Sequence, residues 1–299
     1  MSGEQNKAGG PGGGWGALPE MSPTLRFTDR VAEYVACRPS YAAGAVALVV
    51  SSLPVSCGVI ADVGAGTGIF ARQLADELLK RGGGGGSDGG ASVGGARGAA
   101  RGGGGDVARG RVIAVEPNSA MRAEIVPHGL IDARDGTAEA TRLAARSVGA
   151  VVAAQAFHWF RPSEAIAEFA RVLVPGGRAW LVWNDLDESD ALAADYRRAM
   201  LEASEDHPAA NGFARNKHYE HLCDSALFSG LEQREFANQQ RFDAEGLLGR
   251  ARSASYCPKG GPRWARLERE LRELASRHAE GDGHVTLRLV TRVYGAQLA

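Results

Sequence analysis

A chain of 299 residues with 44% hydrophobic and 23% charged residues can build one large domain or two small ones around a sizeable core. Its formal net charge of −1 advertises no nucleic-acid surface, and no run of about 18 apolar residues offers a membrane span. The four cysteines, Cys37, Cys57, Cys223 and Cys257, form no C-x-x-C pair and read as reduced thiols of a cytosolic-type compartment.

Residues Met1 to about Thr24 are rich in Gly and Pro, lack an apolar signal core, and are expected to be a disordered tail (1–24) before a single domain (25–299). "CGVIADV" reads as a first strand with a glycine turn behind it. A helix from Ile69 to Lys80 follows, with Ile69, Phe70, Leu74 and Leu78 at helical spacing. Arg81 to Gly110 is a low-complexity, glycine-rich stretch. It carries no aromatic residue to stack on bases, so a solvated loop insertion (81–110) fits better than an RGG-type RNA-binding segment. "RVIAVEP" is strand two. "NSAMRAEI" opens a helix with Asn118 as N-cap, and "HGLIDAR" is a short strand three. "VGAVVAAQAF" is strand four, apolar throughout, as a strand buried on both faces should be. Glu164 to Val174 reads as a helix stopped by "PGG", and "GRAWLVWN" as strand five. "ADYRRAMLEASE" and "RWARLERELRELASRHA" read as helices, the second with a core stripe of Trp264, Leu267, Leu271 and Leu274. "HVTLRLVTRVYGAQL" alternates as a strand, with "LEQREFANQQ" as its partner. Alternating strands and helices imply a doubly wound parallel sheet, with the ligand at the C-terminal strand ends.

The glycine turn, "IADVGAGTGIF", narrows the ligand. A dinucleotide fingerprint needs a third glycine where Ile69 stands, and no Gly-Lys-Ser/Thr follows for a nucleoside triphosphate. The pattern is D-x-G-x-G-x-G. Asp62 brings a carboxylate to a ligand amino group. Glu116, at the end of strand two, can accept from both ribose hydroxyls. An adenosine with an amino-acid tail fits this set.

On these residues the chain resembles the class I S-adenosylmethionine-dependent methyltransferases, and within them the small-molecule group that includes trans-aconitate methyltransferases. "IADVGAGTGIF" resembles the first motif and "VIAVEPNSAMR" the second. "GTAEATRL" resembles the loop after strand three, and "VVAAQAFHWF" and "EFARVLVPGGRAWLVWN" the fourth and fifth motifs. The resemblance runs from about Phe27 to the C-terminus, without the glycine insertion. It implies a Rossmann-like seven-stranded sheet with the last strand antiparallel, an N-terminal helical cap from "FTDRVAEYVACRPSY" and C-terminal helical insertions that roof the site. It also implies S-adenosyl-L-methionine as cofactor, held by Asp62, Gly64, Ala65, Gly66, Gly68, Glu116, Pro117, Thr137, Ala138 and Gln155. Arg38 is placed by resemblance at the methionine carboxylate, with Tyr34 and Tyr41 beside it; a surface arginine is the plainer alternative. The chain departs from the family at Thr137, where an Asp usually meets the adenine, and at Gly149, where the family tends to have Asp.

The implied reaction moves a methyl group in line onto a small-molecule acceptor. A carboxylic acid is favoured by the resemblance and because Arg38 and Arg241 could both serve an anionic site; an ionised carboxylate needs no base. A hydroxylated acceptor would need one, and His158 is the histidine near the site. An equal alternative is that His158 only orders its loop. Trp159 and Trp183 are candidate pocket walls or ordinary sheet packing, and Asn184, Arg241 and Tyr256 are substrate-side candidates. "HYEHLCD" gathers His218, His221, Cys223 and Asp224. Without a second distant pair it reads as an ordinary helix with Cys223 on the apolar face, not a zinc site. We expect a cytoplasmic monomer or weak dimer with no nucleic-acid or membrane partner, an RNA or protein acceptor being the other methyltransferase reading.

Overall fold

The computed structural model describes residues 37–82, 110–204, 218–254 and 256–299. The expected tail, most of the expected cap including Tyr34, and residues 83–109 of the glycine-rich insertion lie outside them.

Helix α1 (Ala43–Ser51) leads into strand β1 (Val59–Val63), and α2 (Ile69–Gly82) follows the glycine turn. Beyond the insertion come β2 (Arg111–Val115), the short α3 (Ser119–Ala123), β3 (Ile131–Arg134) and β4 (Val148–Ala154). A 3₁₀ turn (Phe157–Trp159) joins β4 to α4 (Pro162–Val172), and β5 (Leu173–Leu186) and α5 (Ala191–Ser204) follow. The rest comprises α6 (Glu220–Cys223), β6 (Phe228–Phe242), α7 (Ala244–Arg252), α8 (Gly261–Arg277) and β7 (Val285–Leu298).

The seven strands form one sheet in the order β3-β2-β1-β4-β5-β7-β6. The pairs from β3 through β5 are parallel, and β7 runs antiparallel to both β5 and β6. The chain winds outward from β1 through β2 to β3, then returns to β4 on the other side of β1. That reversal opens a crevice at the carboxyl ends of β1 and β4.

Period-two burial splits the core. Ala61, Val63, Ile113, Val151 and Leu181 pack on one face with Phe157 and Phe169; Ile60, Val112, Val152, Trp180 and Val182 face the other, under α1 and α2. Strands β1 and β4 carry almost no exposed residue, so neither shows polar alternation. A third cluster, with Leu192, Tyr196, Leu247, Leu267, Leu271 and Leu274, ties α5, α7 and α8 to the start of β7. The stripe on α8 is therefore core, and its fourth member, Trp264, packs beside it under the Arg252 guanidinium at 4.5 Å. Among the described residues no helix is long and apolar enough to cross a membrane.

Two local readings change. "PGG" does not stop α4: Leu173 is already extended (ψ 139°) because it pairs with Val148 as β5 begins. In α6, Leu222 takes the buried position and Cys223 is exposed, not apolar-facing. No disulfide joins the four cysteines, and among the described residues no group of three or more His, Cys, Asp or Glu could hold a metal ion.

Candidate active site

A cavity of about 280 Å³ fills the crevice, near the lower end of the range of small-molecule sites. Strand β1 supplies Asp62, and the turn after it supplies Gly64, Ala65, Gly66 and Thr67. Strand β2 leads to Glu116 and Pro117, the β3–β4 loop gives Thr137 and Ala138, and the end of β4 gives Gln155 and Trp159. These residues are scattered over about a hundred positions, and the parallel register brings their strand ends to one edge.

The glycine turn is possible only with left-handed backbone: Gly64, Gly66 and Gly68 have φ of 71°, 58° and 78°. At Gly64 a Cβ would also come within 2.7 Å of the Ala156 methyl, so the turn must pass close under β4. Gly68 belongs to this turn but does not line the cavity.

Glu116 braces the turn. One carboxylate oxygen accepts from the Gly66 amide at 2.9 Å and the other from the Asn118 amide at 2.8 Å. Asn118 caps α3 through bonds from the amides of Ala120 (2.9 Å) and Met121 (3.2 Å), as its position predicts. Burial pushes the Glu116 carboxyl above its ordinary range, against the pull of those two amides and of Arg122.

Asp62 is buried, and neither carboxylate oxygen has a hydrogen bond of ordinary geometry. Burial raises its pKa to about 7; the nearby Ala71 amide lowers it somewhat, and the Glu116 charge raises it. The hydroxyl of Thr67, another buried lining residue, is also without a partner. A buried polar group left unpaired costs about 1–3 kcal/mol, so three such atoms around one cavity mark a place prepared for a polar ligand.

Gln155 adopts a left-handed φ of 53°, unusual for a side-chain-bearing residue, at the end of β4. Its amide donates to the Asn184 carbonyl at 2.9 Å. The Asn184 side chain donates to Ser40 O (3.1 Å) and accepts from Thr291 (2.6 Å) and Asn238 (3.2 Å), which ties the wall of the cavity to residues just before α1. Asn184 thus sits behind the cavity wall and does not line it. Tyr41 lines the cavity and packs edge-on against Phe70, ring centres 4.7 Å apart.

The remaining candidates lie elsewhere. Arg38 does not line the cavity; its guanidinium donates to Ser253 O at 3.1 Å. Trp183 packs edge-on against Tyr294 at 5.8 Å, outside the lining. Arg241 is exposed and bonds Asp282, with Glu280 beside it, because β6 is the open edge of the sheet and turns this side chain to solvent. His158 packs beside Trp159 (5.0 Å) and His218 (6.1 Å). Loss of solvation, then His218 and Arg38, lower its pKa to about 3; even a partly open ring such as this one is neutral at pH 7. Sequence reasoning passed over Thr67 and Glu139 as individual residues, though both lie inside quoted motifs. Glu139 accepts from the Arg161 amide at 2.9 Å, and both line the cavity.

Residues 89–181 match a family model described as a methyltransferase domain; the match starts beyond the glycine turn. An uncharacterized methyltransferase of Mycobacterium tuberculosis is 36% identical over 167 residues, 55% of this chain and 54% of the relative. An uncharacterized methyltransferase-like protein of Schizosaccharomyces pombe is 29% identical over 182 residues, 58% and 56% of the two chains. The chain spans about half the length of the curated relatives it matches. A protein from Anaeromyxobacter dehalogenans, provisionally classed as a type II methyltransferase, superposes with a TM-score of 0.57 at 20% identity, covering 87% of this chain and 97% of that one. At such identity the likeness speaks to the fold, a Rossmann-like methyltransferase sheet.

Proposed function

We propose, from the premise that this chain carries a class I methyltransferase domain, that it is an S-adenosylmethionine-dependent methyltransferase whose acceptor is a small carboxylic acid. One observation carries the reading: two buried carboxylates face the switch-point cavity, Asp62 with no hydrogen bond of ordinary geometry and Glu116 with each oxygen holding a single amide. A carboxylate oxygen can accept two hydrogen bonds, so Glu116 keeps capacity for two ribose hydroxyls. Asp62 suits the ammonium of an amino-acid tail and the Thr67 hydroxyl its carboxylate, while Thr137 and Ala138 edge the space for a base. A nicotinamide dinucleotide is disfavoured, because Ile69 stands where its third glycine should be.

When bound, S-adenosylmethionine supplies a methyl group activated toward displacement by its sulfonium. The work left to the chain is orientation, which can contribute roughly 7–11 kcal/mol. Gln155, held in its unusual backbone conformation by Asn184, and Trp159 form the wall toward which the acceptor must come. His158, with its pKa lowered to about 3, is too weak a base at pH 7 to take a hydroxyl proton. A carboxylic acid arrives ionised and asks for no base. That contrast favours the acid over a hydroxylated acceptor and leaves His158 a positioning role.

Calorimetry with adenosylhomocysteine and with NAD tests the first half; the adenosyl compound should bind and NAD should not. A labelled-methyl screen of carboxylic and hydroxylated metabolites tests the second. On the acceptor found, rates of the wild type and of His158→Gln should stay flat from pH 6 to pH 8 with a small mutant defect. A limb near the imidazole pKa, lost in the mutant with a 10²–10⁴-fold defect, roughly what a general base contributes, would make His158 the base instead.

A further inference from the structure

Glu139 carries the third carboxylate of the cavity lining, beside Asp62 and Glu116. Its side chain is only 12% exposed. One oxygen, Oε1, accepts from the Arg161 amide at 2.9 Å. The other, Oε2, lies 4.0 Å from the Arg161 guanidinium, beyond hydrogen-bond reach. That guanidinium is committed to Glu164, which it grips through Nε at 2.6 Å and through a terminal nitrogen at 2.8 Å. A glutamine could brace the Arg161 amide equally well without placing a charge there. The second oxygen of Glu139 is thus open to a donor that comes from the cavity.

The turn that presents this carboxylate is held firmly. Thr137 and Ala140 exchange both backbone hydrogen bonds, at 3.2 and 3.3 Å, so Ala138 and Glu139 form a two-residue tip. Thr141 anchors the base of the turn. Its amide and hydroxyl donate to one Glu168 oxygen at 2.9 and 2.5 Å, and Arg171 clamps the same carboxylate at 2.6 and 2.8 Å. Ala138 and Phe160, the chain neighbours of Glu139 and Arg161, add apolar lining beside it, as a flat ring requires. In the strand order β3-β2-β1, the end of β2 with Glu116 stands between Asp62 on β1 and the loop that leaves β3.

We propose that Glu139 accepts a hydrogen bond from the exocyclic amine of the cofactor's adenine and so sets the choice of nucleobase, an assignment that rests on the methyltransferase reading. The unbonded, buried oxygens of Asp62 and the hydroxyl of Thr67 point independently to a polar ligand in this cavity. An adenosine with an amino-acid tail donates hydrogen bonds from its ammonium, its ribose hydroxyls and the amine of its base. The lining answers with Asp62, Glu116 and Glu139, and a carboxylate accepts and never donates. With the ammonium assigned to Asp62 and the ribose to Glu116, the base falls to the loop after β3. The ring nitrogens of adenine are acceptors and would repel a carboxylate. Its amine carries the only N–H groups on the base, and a charge-assisted bond to them gives Glu139 a use for its charge.

The test is calorimetry of the full chain with two ligands, adenosylhomocysteine and its analogue in which hydrogen replaces the amine of the base. Wild-type protein should bind the amine-bearing compound about 10–100-fold more tightly, as for a hydrogen bond to a charged group. Glu139→Ala, which leaves no acceptor, should bring the two affinities to within about threefold of each other. Glu139→Gln, which can still accept from the Arg161 amide, should also narrow the ratio and guards against an alanine variant that does not fold. The ratio is taken within one variant, so general loosening of the loop cancels. A residue that only braces Arg161 would weaken both ligands alike and leave the ratio at its wild-type value. A wild-type chain that binds both compounds equally, or a wild-type ratio retained in Glu139→Ala, overturns the assignment of Glu139 and leaves the methyltransferase reading standing. If wild-type protein binds neither compound, the methyltransferase reading falls and this assignment falls with it.

Discussion

Asp62 is the residue at which the cofactor reading can be pressed hardest, because its protonation should govern binding. Burial lifts its pKa to about 7 in the ligand-free chain from the ordinary 3.8. A raised acid pKa means that folding favours the protonated form. The associated stability is fully present below about 3.8 and is lost as pH rises through about 7; the full shift corresponds to about 4 kcal/mol. The ligand-free chain should therefore soften between pH 4 and pH 8. A bound ammonium reverses the preference, since it needs the carboxylate. As pH falls below 7 each binding event must then expel a proton; affinity should fall by a factor that approaches about tenfold per pH unit, or about 50-fold between pH 7 and pH 5. Glu116 is raised as well, so the early part of the titration belongs to the pair. Calorimetry with adenosylhomocysteine from pH 5 to pH 8, in two buffers of different ionisation heat, measures both the affinity and the proton released. Asp62→Asn should bind more weakly at pH 8 and show a much flatter profile. A flat wild-type profile, or an equal slope in the variant, would refute the assignment of Asp62 to the ammonium.

Three further outcomes are expected. Glu116→Gln leaves one of the Gly66 and Asn118 amides facing an NH₂ group, at a cost of about 1–3 kcal/mol, so adenosylhomocysteine should bind about 10–100-fold more weakly by calorimetry while far-UV dichroism stays native. Gly149→Asp, which would place there the acid that the methyltransferases this chain resembles tend to have, should destabilise the fold by several degrees in a melting scan, since a Cβ there would come within 2.3 Å of the Cys57 carbonyl oxygen. Replacing residues 83–109 with a short Gly-Ser linker should leave Tm and adenosylhomocysteine affinity nearly unchanged, because loop closure depends weakly on length; a large loss of either would give that stretch a structural role.

The lining contributed by β1, β2 and the glycine turn was legible because it is encoded locally. Asp62, the glycines and α2 are consecutive, and Glu116 ends the next strand, so one strand–turn–helix unit and its neighbour fix most of the lining. Strands buried on both faces announce themselves as apolar runs, and β1, β2 and β4 did so. Errors came where a local signal met a distant partner. "PGG" looks like a helix stop, yet the pairing of Leu173 with Val148 had already drawn the chain into β5. Arg241 looked like a cation for an anionic ligand, but strand periodicity alone does not say which side chains of an edge strand face Asp282.

The wall around Gln155 follows a different rule. Asn184 holds Gln155 from 29 positions away and Ser40 from 144. No motif spacing records such pairs; they exist only once β4, β5 and the residues before α1 have come together. The consequence is energetic as well as informational. The glycine turn is held by the sheet and by Glu116, so its geometry is set before any ligand arrives.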